Sequence, residues 1–122
     1  MNKLLALIVE DDPDIGNAFS IALKMVGFQT ELINSGAKAI TWLAAKVPDL
    51  VVLDIRLPYV SGVEILRQIR ADPRLAKTPV IVTTAYPESD TFLYEHADLV
   101  LIKPVNINKL LELAKRVRSQ SE

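Results

Sequence analysis

Four short apolar runs, residues 4–9, 50–53, 80–82 and 99–102, each stop abruptly on charged or hydroxyl side chains. The residues delivered are Glu10-Asp11, Asp54, Thr83-Thr84 and Lys103. Val51-Val52-Leu53 has no polar residue at either parity, which marks a strand covered on both faces rather than one with a solvated side. Strands of that kind belong to parallel sheets. If the runs are neighbours in one such sheet, their polar ends gather at its carboxyl edge, where open α/β sheets carry their ligand sites.

Between these runs the apolar spacing becomes helical. Asp12-Pro13 reads as an N-cap followed by proline at the first helical position. Ile15, Ala18, Phe19, Ala22, Leu23 and Val26 then recur on one helical face, and Gly27 supplies the stop. Residues 28–33 form a strand candidate of mixed polarity, as an edge strand tolerates. A second helix starts at Ser35-Gly36, puts Ala37, Ile40, Leu43, Ala44 and Val47 on its apolar face with Trp42 packing beside them, and ends at Pro48. Pro58 and Gly62 punctuate a loop, Val63, Leu66 and Ile69 mark a third helix, and Asp72-Pro73 closes it. The fourth strand is expected over residues 79–82, and a short, poorly patterned helix over 88–96 with His96 at its end. Ile107, Leu110, Leu111, Ala114 and Val117 mark the last helix. Five strands alternating with five helices imply an α/β fold, a parallel sheet with helices on both faces. The expected organisation is one domain over residues 1–118 and a polar tail over 119–122, with no output domain in the chain.

Composition narrows the class. A chain of 122 residues is long enough to bury a core without staples, and with no cysteine it has no disulfide, which fits a reducing compartment. A formal net charge of -1 leaves no electrostatic footprint for nucleic acid, so no direct nucleic-acid binding is expected. The first apolar run follows only Lys3, precedes two acids and is too short for a signal-peptide core or a membrane span. A cytoplasmic protein without membrane contact is the expectation. His96 is the single histidine, which excludes metal sites built on paired imidazoles.

The strand-end residues carry the chemistry. Three carboxylates about 5 Å apart repel one another by about 3 kcal/mol per pair at an effective dielectric near 20. Nothing structural needs such a cluster. A hard divalent cation relieves it, and Mg²⁺ typically takes one or two carboxylates, keeps waters and adds a phosphate. Asp11 and Asp54 would be direct ligands and Glu10 an acceptor through water. Lys103 supplies a point charge suited to a phosphoryl oxygen, and the Thr84 hydroxyl can donate to another. Phosphoryl transfer asks a protein mainly for positioning and charge neutralisation, with Asp54 here as the nucleophile. Strand alternation lets only one of Thr83 and Thr84 face the site, and the neighbouring Ala85 favours Thr84. Asp12 is assigned to helix capping because Pro13 follows it.

Taken together, Ile8-Val9-Glu10-Asp11-Asp12, Leu53-Asp54 with Pro58 and Gly62 following, Thr84-Ala85 and Lys103-Pro104 resemble the receiver domains of two-component response regulators. The resemblance runs from about Lys3 to Arg118. It implies a doubly wound (βα)5 three-layer sandwich of the CheY-like kind, with strand order 2-1-3-4-5. It further implies that Asp54 accepts a phosphoryl group from a sensor histidine kinase or a histidine phosphotransfer protein. Mg²⁺ would be held by Asp11, Asp54 and the backbone carbonyl of Arg56, with Glu10 close by. Thr84, Ala85 and Lys103 would read the phosphoryl group, the Lys103-Pro104 bond would be cis, and Arg56 and Tyr86 would tune the access of water. A downstream protein target of unknown identity and a monomer or weak dimer complete the expectation.

The departures from that family sit in one place. An aromatic residue usually lies three positions before the lysine, and here Val100 holds that position. The stretch from Thr84 to Lys103 is shorter than usual, so a stunted fourth helix is expected, and His96 stands where glycine is common. These changes leave the phosphorylation chemistry intact but call for a different relay to the surface. A receiver-like docking module with a degraded switch is the main rival. A phosphatase of the haloacid dehalogenase type would need a second Asp two residues after the nucleophile, where Arg56 stands. Neither the P-loop nor the dinucleotide fingerprint occurs.

Overall fold

The computed structural model describes residues 3–121. Strands and helices alternate: β1 Leu4–Val9, α1 Pro13–Met25, β2 Phe28–Ile33, α2 Gly36–Ala45, β3 Leu50–Asp54, α3 Gly62–Ala71, β4 Val80–Thr84, α4 Thr91–His96, β5 Leu99–Ile102 and α5 Ile107–Gln120. The five strands are parallel and ordered β2-β1-β3-β4-β5, the CheY-like arrangement. β2, the strand of mixed polarity, lies at an edge as expected.

Side-chain alternation splits the core into two layers. Leu7 and Val9 of β1, Val51 and Leu53 of β3, and Val80 and Val82 of β4 pack with Ala39, Leu43, Ile65, Leu66, Ile69 and Leu93 from α2, α3 and α4. The opposite parity, Ala6, Ile8, Leu50, Val52 and Ile81, packs with Phe19, Leu23, Leu110, Ala114 and Val117 from α1 and α5. Because a strand turns successive side chains to opposite faces, runs with no polar residue are what a sheet buried on both sides requires.

Local chemistry explains the ends of elements. The Asp12 carboxylate caps α1 by accepting the backbone N–H groups of Asp14 at 2.9 Å and Ile15 at 3.2 Å, and Pro13 follows it. Gly27 takes φ 100° just beyond α1, a conformation that costs other residues and not glycine. Arg70 fastens the far end of α3 by donating to the carbonyls of Ala76, Thr78 and His96 and to Asp98 at 2.7–3.1 Å. His96 ends α4 and stacks on Phe92 with ring centroids 4.1 Å apart.

Several sequence expectations need correction. In α1, Ala18 is exposed, while Gly16 and Ser20 are buried; a Cβ on Gly16 would meet Leu32 at 2.7 Å, and the Ser20 hydroxyl pairs with Thr30. Apolar spacing cannot see a helix face that approaches a neighbouring strand through a glycine and a paired hydroxyl. In α2, Ala37 and Ala44 are exposed and Ala39 is buried instead, because identical small residues on all sides leave the stripe without contrast. Val47 is exposed because α2 stops at Ala45, with Lys46 extended. β4 runs on through Thr83 and Thr84, both fully buried, past the apolar run that announced it. α4 begins only at Thr91, capped by Asp90, so it has 6 residues. α5 continues through Ser119 and Gln120, two residues of the expected tail; Glu122 lies outside the described residues.

Candidate functional site at the carboxyl edge of the sheet

The central strands hand their terminal side chains to one place. Glu10 follows β1, its N–H prolonging the ladder by donating to the Ile33 carbonyl at 3.0 Å, and it is 2% exposed. Asp54 ends β3 and is 3% exposed. The N–H of Lys103, just past β5, donates to the Thr84 carbonyl at 2.7 Å, and this extends the sheet up to the site. The Lys103-Pro104 bond is cis. Carboxylate oxygens of Glu10, Asp11 and Asp54 lie within 4.8 Å of one another, with Asp11 the exposed member.

Lys103 Nζ lies between two of these carboxylates, 2.9 Å from Glu10 Oε1 and 3.4 Å from Asp54 Oδ2. Glu10 Oε2 accepts the Asp12 N–H at 3.2 Å, and Asp54 Oδ1 accepts the Arg56 N–H at 3.1 Å. One ammonium therefore serves two buried acids, with Asp11 beside them. Burial pushes the Glu10 carboxyl up to about 7; Lys103 and the Asp12 N–H pull the other way, and the Asp54 charge adds to the rise. Burial opposes the charge on Lys103, but Glu10 and Asp54 outweigh it and hold the ammonium above the ordinary lysine range. This donor set suits a hard cation: three clustered carboxylates, one of them open to solvent, share a single lysine.

Gly62 holds this half of the site together. A Cβ there would come within 2.5 Å of the Asp54 carbonyl oxygen and 2.6 Å of Ile55 Cα, so only glycine lets the start of α3 press against the end of β3. The Gly62 N–H donates to the Ile55 carbonyl at 3.0 Å. In the intervening loop, Tyr59 is fully exposed at φ 69°.

The other half of the site sits on the loop after β4. The Thr84 hydroxyl lies 3.0 Å from the Tyr86 carbonyl and 3.1 Å from Glu88 Oε2. Glu88 Oε2 also accepts from Arg56 Nη2 at 2.9 Å and Nε at 3.2 Å, and the Arg56 guanidinium lies 5.3 Å from the centre of the exposed Tyr86 ring. Ala85 is exposed beside them. The Thr83 hydroxyl is buried and takes no hydrogen bond among the described residues. Val100 is partly buried against the core layer that α2, α3 and α4 cover. The structure thus collects Glu10, Asp11, Asp54 and Lys103 into one cluster, and places Thr84, Arg56 and Tyr86 around Glu88. Sequence reasoning missed Glu88, because an acid in an irregular loop carries no periodic signal.

The model of the response regulator receiver domain family matches residues 6–115, and the chain belongs to that family, the phosphoacceptor modules of two-component signalling. The DNA-binding response regulator MtrA of Mycolicibacterium smegmatis is 36% identical over 119 residues, which cover 93% of this chain and 49% of that protein. The chain therefore spans about half the length of that curated relative. A CheY-like receiver domain from Methylobacillus flagellatus superposes with a TM-score of 0.85 at 28% identity, over 95% of this chain and 99% of that one. The Mn(2+)-bound form of the response regulator Rcp1 superposes with a TM-score of 0.77 at 26% identity, over 95% of this chain and 92% of that one. The cluster of Glu10, Asp11 and Asp54 stands where this family is phosphorylated. Among the described residues no helix is long and apolar enough to cross a membrane.

Proposed function

We propose that this chain accepts a phosphoryl group on Asp54 from a phosphohistidine of a sensor histidine kinase or a histidine phosphotransfer protein. The observation that carries the reading is the cluster of Glu10, Asp11 and Asp54 oxygens within 4.8 Å, with Lys103 Nζ among them. An Asp54 oxygen attacks phosphorus, the P–N bond breaks, and the imidazole leaves with the electron pair. An acyl phosphate remains on Asp54. Mg²⁺ is the cation this donor set suits; Asp11, Asp54 and the Arg56 carbonyl would hold it, with Glu10 acting through water, and it would neutralise charge during transfer. Lys103 exchanges a carboxylate partner for a phosphoryl oxygen. The Thr84 hydroxyl and the backbone at Ala85 are the further donors, and Arg56 and Tyr86 line the approach of water. The module is a signalling switch rather than a turnover catalyst, acting through a downstream protein.

The experiment is intact mass after incubation with acetyl phosphate and Mg²⁺, beside Asp54→Asn and a metal-free control. One phosphoryl adduct that needs both Mg²⁺ and Asp54 is the expected result. Mg²⁺ should also raise the melting temperature by mass action, and Asp11→Asn should weaken that rise. The rival reading, a docking module that works without phosphorylation, is favoured by Val100 at the switch position and by the Thr84 hydroxyl engaged with its own loop. Absence of any adduct, with a phosphodonor kinase as well as with acetyl phosphate, would favour that rival.

A further inference from the structure

We propose that Glu88 is a latch which a phosphoryl group on Asp54 displaces, and that its release is passed to α4 through Tyr94. The inference rests on the receiver reading and names the relay that reading lacks. One oxygen, Glu88 Oε2, accepts from Arg56 Nη2 and Nε at 2.9 and 3.2 Å and lies 3.1 Å from the Thr84 hydroxyl, whose one proton it shares with the Tyr86 carbonyl at 3.0 Å. The carboxylate is largely enclosed, its side chain 14% exposed. It therefore occupies the donors that a phosphoryl group next to it would claim.

The competition is strict because the donors are few. A threonine hydroxyl carries one proton, so Thr84 cannot donate to its loop and to a phosphoryl oxygen at once. Arg56 is tethered to the acceptor residue, since its own N–H donates to Asp54 Oδ1 at 3.1 Å. Its guanidinium would then choose between a carboxylate of one charge and a phosphoryl group carrying nearly two. Charge and the planar fork of arginine both favour the phosphoryl oxygens. The Glu88 carboxylate, left beside a new dianion, is driven away from it.

The other end of the same residue decides where the displacement goes. The Glu88 N–H donates to the Tyr94 hydroxyl, in the middle of α4, at 3.0 Å. The loop is thus bonded to the site through its side chain and to α4 through its backbone. α4 is short enough to respond, with 6 residues, and it meets α3 through Arg67, which lies 4.1 Å from the Phe92 ring centre and 3.9 Å from Asp90. This route needs no aromatic side chain at position 100, where Val100 packs against the core.

Beryllofluoride with Mg²⁺, a non-covalent stand-in for the phosphoryl group, tests the latch by titration of the full chain under amide NMR. Glu88→Gln removes the competing charge in an isosteric side chain, and half-saturation should fall about tenfold, the scale of one allosteric coupling. Glu88→Ala should shift it in the same direction. Tyr94→Phe, which frees the loop from α4, should lower half-saturation by less than either Glu88 variant and keep the shift at Ala85, while the shifts of residues 91–96 shrink. Equal or weaker binding by both Glu88 variants, or undiminished α4 shifts in Tyr94→Phe, would overturn the inference while the wild type still responds. A wild type that binds no beryllofluoride and takes no label on Asp54 would remove the receiver reading and the latch with it.

Discussion

Glu10, Asp54 and Lys103 stand at the ends of β1, β3 and β5, whereas Glu88 and Tyr86, the partners of Thr84, stand on the loop between β4 and α4. The acidic half is held by ladder bonds at 2.7 and 3.0 Å and by the close approach at Gly62, so its geometry is decided by the sheet. The hydroxyl half is held by side-chain bonds that meet on one glutamate oxygen. The first arrangement keeps like charges together at a cost in stability; the second can be undone by a competing anion. A chemical site needs the former and the proposed switch would need the latter, and the two arrangements lie at neighbouring strand ends.

The sharpest way to break the contrast is to remove the cation on which the acidic half depends. Lys103→Ala leaves Glu10 and Asp54 buried without a counter-charge, and breaking such a pair costs about 3 kcal/mol. Urea unfolding in EDTA should show that loss, and Mg²⁺ should recover more stability in the variant than in the wild type. A loss below that of an ordinary surface lysine would mean that water already screens the cluster. Next in size, Gly62→Ala forces a Cβ against the Asp54–Ile55 backbone and should cost about 2 kcal/mol by overpacking. Its diagnostic feature is a weaker response to Mg²⁺, because the same clash displaces Asp54.

Titration probes the acidic half without a mutation. Glu10 has a folded value of about 7 against an ordinary 4.5, so between those two the folded state binds a proton that the unfolded chain has released. Metal-free stability should therefore fall as pH rises from about 4.5 to about 7 and then level off in this contribution. Calorimetry across that range checks it, with Glu10→Gln as the control in which this slope disappears. Mg²⁺ should flatten the curve, since a cation stabilises the ionised carboxylates.

The two halves also differed in how far they could be read from the chain. Glu10, Asp11, Asp54 and Lys103 were legible because each terminates or follows an apolar run, and a parallel sheet makes run ends coincide in space. The same logic ordered the elements, and the resemblance to receiver domains supplied the strand order. It failed where a pattern has no contrast, as at Ala37, Ala39 and Ala44, or where a buried face uses Gly16 and Ser20. It had nothing to say about Glu88, whose contacts exist only because a loop folds back over Arg56 and Thr84. Arg70 escaped notice for a related reason: its four acceptors are distributed from Ala76 to Asp98 and share no motif.

The adjacent threonines of β4 give the smallest and most discriminating test. Both are fully buried, yet among the described residues the Thr84 hydroxyl has two acceptors within 3.1 Å and the Thr83 hydroxyl has none. Alternation along the strand sends them to opposite faces. Valine matches threonine in shape without the polar atom, so Thr83→Val removes an unsatisfied hydroxyl and should stabilise the fold by about 1 kcal/mol. Thr84→Val instead removes a donor that is paired and leaves Glu88 with Arg56 alone, so it should destabilise the fold slightly and weaken the hold on beryllofluoride. Melting temperatures and beryllofluoride titrations of the two variants measure both effects. Opposite signs in stability, with ligand response lost only at Thr84, would place the boundary between core and switch within one peptide unit; equal behaviour would mean that the hydroxyl half begins further along the loop, at Tyr86 and Glu88.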